Sequence, residues 1–373
     1  MGAVSRSTGL VWHERYMWHD TRAAAGPLPA GGWIEPDTHA ENPATKRRFK
    51  NLLDASGLAE RLVPLSPRPA TEQELLRVHD AEYVNRIREL SQANGGDAGG
   101  FTPFGPGSYE IACLAAGGAI IAVDAVLDGT VTNVYALVRP PGHHAVRDSG
   151  TGFCIFANVA VALTHAQEVR GVERAAVVDW DVHHGNGTQD AFYDDASVLT
   201  ISLHEAGYFP PGSGGLDENG RGVAAGANLN VPLPAGSGVG AYTAALEQVV
   251  VPALDRFRPD LIVVASGFDA SFLDPLGHQL LHSGFYRTAT RMVLEAAGRH
   301  CRDRLVLVHE GGYSSGYVPF LGLATVEELC GERTEVEDPF LGLAEGIEGQ
   351  DLQPHQAAAV EAAAALVGRV PAS

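Results

Sequence analysis

Cysteine is scarce in this chain of 373 residues: Cys113, Cys154, Cys301 and Cys330 stand far apart, none at C-x-x-C spacing. That excludes a structural zinc knuckle and a redox pair, and predicts buried thiols. Positive charge is also in deficit. Lys plus Arg total 26 against 45 for Asp plus Glu, a formal net charge of -19, and such a field repels a polyphosphate backbone while attracting cations such as a lysine-bearing peptide or a polyamine. No nucleic-acid partner is expected. No apolar run reads as long enough to span a membrane, and the first residues lack a basic region followed by an apolar core, so a cytoplasmic protein with no membrane partner is expected. Linkers and internal repeats are missing too. The one biased tract, the Ala-rich stretch 355–366, reads as an ordinary helix.

What remains is 45% hydrophobic and 19% charged, enough to bury a large core, and we read residues 1–373 as a single α/β domain. Short β-branched runs predict strands at 134–138, 175–179, 198–203, 261–265 and 305–308. Helical patterns fill the gaps: one opened by the capping box at Thr71, one from Ser108 to about Gly129, and others over 159–169, 239–257 with a kink at Pro252, and 285–300. This alternation is the signature of a mostly parallel sheet with helices on both faces. Gly-rich stretches at 95–107 and 212–226 read as long loops.

The run Asp179-Trp-Asp-Val-His-His-Gly-Asn-Gly187 directly follows the apolar strand 175–178. Along an extended backbone alternate side chains share a face, so Asp179, Asp181 and His183 project together. Two carboxylates and an imidazole suit a divalent transition ion such as zinc, which in catalytic sites takes three protein ligands and keeps one position open. A calcium loop fits poorly: His183 stands where an oxygen is needed, no Glu closes the loop, and a strand rather than a helix comes before it.

Ligands of open parallel sheets bind beyond the carboxyl ends of the strands. Four strands here run into polar or Gly-rich segments, namely Arg139-Pro-Pro-Gly-His-His144, 179–187, Ser266-Gly-Phe-Asp269 and His309-Glu-Gly-Gly-Tyr313. Asp269 is then the natural third ligand, the alternative being a helix cap. His143 and His144, stiffened by two prolines, are placed where water activation needs a proton acceptor, although adjacent histidines are also common in solvated loops. Asp179 is free to orient one of them. Tyr313 offers a phenol donor for an oxyanion, or simply packs in a turn. Together the pieces point to metal-assisted hydrolysis of a carbonyl compound.

These motifs, with Gly152-Phe153-Cys154, occur in the order found in the histone deacetylase family, and the chain resembles most the class II branch and its bacterial histone-deacetylase-like amidohydrolases. The resemblance runs from about Ala40 to Leu329. It implies an arginase/deacetylase fold with a central sheet of about eight strands, one Zn2+ on Asp181, His183 and Asp269, and hydrolysis of an acylated amine. It further implies His144 as general base, His143 as electrostatic helper, and Tyr313 as donor to the substrate carbonyl. Gly152 would accept the substrate amide N–H, Phe153 and Phe209 would wall a tunnel, and Leu276 would form part of its rim. A structural K+ or Na+ would sit by Asp179, Asp181, His183, Ser202 and Leu203.

Some positions depart from the pattern. Asn186 stands where class I members carry an Asp near the second histidine, and Thr45 falls where many members have an inner-cavity Arg, so no such Arg is assigned. Residues 12–36, with Trp12, Trp18 and Trp33, match no motif and predict an entrance loop or a contact in a homo-oligomer. The rival activities are an acetylpolyamine deacetylase, disfavoured by the neutral Leu276, an acyl-lysine binding module without catalysis, and an arginase-like manganese enzyme.

Overall fold

A computed structural model describes residues 7–372. Its centre is an eight-stranded sheet of β1 (Thr8–Val11), β2 (Val63–Leu65), β3 (Asn133–Ala136), β4 (Ala175–Asp179), β5 (Val198–Glu205), β6 (Asn228–Leu233), β7 (Leu261–Ser266) and β8 (Leu305–His309). The spatial order is β6-β5-β4-β7-β8-β3-β1-β2, and every pairing is parallel. Parallel strands are covered on both faces, which is why they read as near-continuous apolar runs. Their side chains divide by parity. Val134, Ala136, Val177, Val263 and Val306 enter one core, whereas Tyr135, Val178, Ile201, Val264 and Leu307 enter the other.

Helix α1 (Ala44–Ala55) packs on the second core through Phe49 and Leu53. Helices α2 (Ser108–Leu127) and α3 (Asn158–Arg170) cover the first, while α4 (Ser283–His300) and α5 (Val318–Cys330) cover the second. Each buried Val, Leu or Ile contributes about 1.5–3 kcal/mol of transfer free energy, so the two cores supply the drive for this three-layer arrangement. The fold is a single α/β domain with a central parallel sheet of eight strands, as the resemblance implied.

Three strands of the sheet and the helices α1 and α5 escaped the sequence reading. β1 and β2 are only four and three residues long, and β6 carries Asn228 and Asn230 among its apolar positions. β3 ends at Ala136, two residues before the predicted end, because the chain then turns into Arg139 and the cis Pro140. The Thr71 capping box is present and opens the short helix Glu72–Leu75. Instead of a simple kink at Pro252, the 239–257 helix contains a π turn at Leu246–Val250, just before the residue that lacks an N–H for the ladder.

One expectation is corrected. Helix α2 is, by length and composition, apolar enough to cross a membrane, but 78% of its apolar window is buried inside the fold. It is apolar all round because it is packed between the sheet and α3. All four cysteines are free and buried, as expected.

Beside the sheet lies a fully buried ion network that the sequence did not announce. Glu41 accepts from Arg139 Nε at 2.9 and 3.0 Å and lies 3.0 Å from Lys46 Nζ, and Arg139 Nη1 also donates to the carbonyls of Tyr16 and His19. The Glu41 carboxylate thus joins α1 to the loop after β3, and the Arg139 guanidinium ties both to the segment 16–19. Removing a single partner of such a network strands the remaining charges in a low dielectric. Glu41→Gln is therefore expected to destabilise the fold by about 3–5 kcal/mol, read as a lowered urea midpoint; an unchanged midpoint would show that the two cations find other partners.

Candidate active site

The four strands whose ends carry the polar segments, β4, β7, β8 and β3, are adjacent in the sheet. Their carboxyl ends therefore open into one crevice, the place where parallel sheets hold ligands. Donor atoms of Asp181, His183 and Asp269 all lie within 4.8 Å of one another, and all three residues are buried. His183 Nδ1 is 3.0 Å from Asp181 Oδ1 and 3.3 Å from Asp269 Oδ2. Asp181 Oδ2 accepts the Gly311 N–H at 2.8 Å, and Asp269 Oδ1 accepts the Val182 N–H at 2.9 Å. Asp269 Oδ2 has no hydrogen-bond partner.

Two glycines let these carboxylates approach the backbone. A methyl group at Gly311 would stand 2.0 Å from Asp269 Oδ2, and one at Gly267 would stand 2.3 Å from Asp181 Oδ2. Both contacts are impossible for any residue with a Cβ.

The electrostatics call for a cation. Burial and the Asp181 charge push the Asp269 carboxyl up to about 6. Burial alone would disfavour a charge on His183, but the Asp181 and Asp269 carboxylates beside it outweigh that and raise the imidazole to about 10. Two buried carboxylates thus hold a proton on the imidazole between them, and a divalent ion would satisfy the same donors while freeing Nδ1 to act as a ligand. The donor set of two oxygens and one nitrogen fits zinc.

The paired histidines sit beside these donors with ring centroids 3.9 Å apart. His143 Nδ1 is 3.0 Å from Asp179 Oδ2, while His144 Nδ1 is 2.8 Å from the neutral Asn186 Oδ1. That difference separates the two. Burial opposes charge on His143, yet Asp181 and Asp179 raise it well above the usual imidazole range; burial, with the charges of His143 and His183, lowers His144 well below it. Of the pair, His144 is thus the imidazole held toward its neutral form.

A cleft of about 170 Å³ leads down to this group. Gly152, Phe153, Phe209, Leu276, His144, His183 and Tyr313, all named from the sequence, line it. Pro27, Phe101 and Tyr208, which were not named, line it too. The Phe209 ring stands edge-on to His144 at 5.0 Å, and Phe153 stands edge-on to Tyr313 at 5.7 Å. Phe153 has a φ of +71°, a left-handed conformation that costs roughly 1–2 kcal/mol in a bulky residue. Its N–H is held by Thr102 Oγ1 at 3.1 Å. A side chain at Gly152 would strike His144 at 2.4 Å. Of the positions named for a monovalent ion, Ser202 lies opposite Asp179 in the β4–β5 pairing, next to Leu203.

Sequence reasoning missed several groups. Glu310 is buried, accepts the N–H groups of Gly142 at 2.6 Å and His143 at 3.1 Å, and is pushed by burial up to about 7. It stood in a quoted motif, yet nothing in that motif showed that its carboxylate turns back onto the histidine loop. With His143 and Cys154 it forms the other group of clustered potential metal donors among the described residues. Lys46, buried beside Glu41, lies 5.6 Å from the Tyr313 ring centroid. It directly follows Thr45, where the inner-cavity Arg was judged missing, so a buried cation is present there after all.

Comparison with known proteins agrees with this geometry. A family model described as the histone deacetylase domain matches residues 39–328. A histone deacetylase-like amidohydrolase from Pseudomonas aeruginosa is 55% identical over 340 residues, 90% of each chain. The human polyamine deacetylase HDAC10 is 39% identical over 337 residues, covering 87% of this chain and 48% of that protein. The crystal structure of the HDA15 HD domain superposes with a TM-score of 0.80 at 34% identity, covering 96% of this chain and 98% of that one. With the parallel sheet, the strand-end donors and these matches in hand, the chain belongs to the histone deacetylase family and is a hydrolytic deacetylase.

Proposed function

We propose that the cleft takes an acylated lysine or a related acyl amine and hydrolyses its amide, with one zinc ion held by Asp181, His183 and Asp269. The observation that carries this reading is that His183 of that donor triad, His144 and Tyr313 line one largely apolar cleft. Zinc, when bound, supplies Lewis acidity toward water and the amide carbonyl. His144 takes the proton of the attacking water and returns it to the amine as the C–N bond breaks, leaving a carboxylate and a free amine. His143, kept charged by Asp179, contributes a fixed positive field. Tyr313 donates to the carbonyl oxygen as its charge grows, Gly152 accepts the amide N–H, and Phe153 and Phe209 hold the alkyl chain. Asn186 as a neutral partner of His144 fits the class II branch.

A K+ or Na+ beside Asp179, Ser202 and Leu203, with Asp181 and His183, would brace the strand end below the zinc. Pro27 on the cleft wall supports the entrance-loop role of residues 12–36, and the fully exposed Trp33 supports a subunit contact there. The acidic balance and a cytoplasmic setting without membrane or nucleic-acid partners belong to the same reading.

The polyamine alternative is favoured by the net charge of -19 and by the name of the human relative. Against it, no Asp or Glu is among the residues lining the cleft, where a distal ammonium would need one. A binding module without catalysis is disfavoured by the complete set of donors, histidines and Tyr313. An arginase-like manganese pair would need bridging donors, and the second donor group includes a thiol instead.

Asp181→Ala, His183→Ala and Asp269→Ala are each expected to lose bound metal and activity together. Chelation should inactivate the wild type and zinc should restore it; recovery with manganese alone would favour the arginase-like reading. For Leu276→Glu, the ratio of kcat/KM for acetylspermidine to that for an acetyl-lysine peptide should rise, and an unchanged ratio would remove Leu276 from the substrate path. Tyr313→Phe keeps the ring and should keep zinc, but lower kcat by about 10²–10³ with KM less affected. Near-native kcat on an unactivated acetyl-lysine peptide would make Tyr313 a packing residue.

A further inference from the structure

Tyr313 hangs on an unusually bare stretch of backbone. Gly311 and Gly312 come directly before it, and Gly312 has a φ of +117°, so no local side chain fixes the direction in which the Tyr313 peptide leaves β8. The phenol nevertheless has to meet an oxygen within a few tenths of an ångström. What fixes the peptide comes from another segment.

Asp274 is buried in the loop after β7, between Asp269 and Leu276. Its Oδ2 accepts the Tyr313 N–H at 2.7 Å and the Ser314 N–H at 3.2 Å, while its Oδ1 accepts the Leu276 N–H at 2.9 Å. One carboxylate therefore binds three backbone amides from two segments that line the cleft. Glu205, at the end of β5, supports the same loop by accepting the His278 N–H at 3.0 Å and His278 Nδ1 at 2.8 Å. Hydrogen bonds from backbone amides to a buried carboxylate are among the stronger ones.

We propose that Asp274 is a positioning residue for the reaction: it aims Tyr313 at the substrate carbonyl and ties that aim to the Leu276 rim. This rests on the reading of Tyr313 given above. Asp274 makes no contact that requires it to touch substrate, so its effect on kcat passes through Tyr313, while any effect through the Leu276 rim falls on KM.

That dependence gives a test by double-mutant cycle. Asp274→Ala removes both acceptor oxygens, and with them all three hydrogen bonds, and is expected to lower kcat by about 10- to 100-fold, the scale of an ångström-sized misplacement, with zinc content retained. Asp274→Asn keeps one oxygen able to face the Tyr313 and Ser314 amides and should recover most of that loss. In a Tyr313→Phe background, Asp274→Ala should change kcat by no more than about twofold, because there is no phenol left to aim. An equal fall of kcat in both backgrounds, or no fall in either, overturns the proposal. If Tyr313→Phe alone is near native, the reading of Tyr313 fails and the proposal fails with it. Should Asp274→Ala not fold, Asp274→Ser, whose hydroxyl is too short to reach all three amides, takes its place in the cycle with the same criteria.

Discussion

A cluster of buried carboxyl groups at the carboxyl ends of adjacent parallel strands is the constraint on which the rest of this molecule depends. Asp179, Asp181, Asp269, Asp274 and Glu310 are all buried around one crevice. Carboxylates out of water are costly unless hydrogen-bonded and compensated. The protein supplies much of the compensation from its own backbone: the N–H groups of Gly142, His143, Val182, Gly311, Tyr313, Ser314 and Leu276 all point at these oxygens. His143 adds a positive charge. The unpartnered Asp269 Oδ2 marks where compensation is incomplete, and the proposed divalent cation would complete it.

The same backbone bonds that solvate the carboxylates also fix the functional side chains. Glu310 holds the peptides leading into His143, Asp269 holds Val182 between the two ligands on its strand end, and Asp274 holds Tyr313. Precision here comes from charges gripping main chain rather than from packing of the catalytic side chains themselves. Farther from the crevice, the Glu41, Arg139 and Lys46 network acts in a similar way, anchoring α1 and the start of the histidine loop through ion pairs among buried charges.

Much of the site was legible because motifs stand at strand ends and a parallel sheet gathers its strand ends. The strand ends at Asp179 and residues 181–183 run as bends, so Asp181 and His183 meet at the strand end without the extended-backbone alternation that was expected, whereas Asn186 fell beside His144 as its place in the motif implied. The short strands at 8–11 and 63–65 were not legible, since three or four residues carry too little pattern to stand out from loops. Helix α2 was read as a helix, but its length and apolar composition, which match those of a membrane span, were overlooked. Asp274, Glu310 and Lys46 were missed because their partners are backbone amides or charges far along the chain, and a single sequence does not encode those meetings. Pro27 and Phe101 line the cleft from segments with no motif of their own.

The proposed cation sits on the Asp181, His183 and Asp269 donors rather than on the neighbouring His143, Cys154 and Glu310 group. X-ray absorption at the zinc edge of protein reconstituted with one equivalent of zinc tests this most directly. The expected spectrum shows only oxygen and nitrogen scatterers near roughly 2.0–2.2 Å, with the outer-shell pattern of a single imidazole. A sulfur scatterer near roughly 2.3 Å, or the signature of a second metal close by, would contradict it.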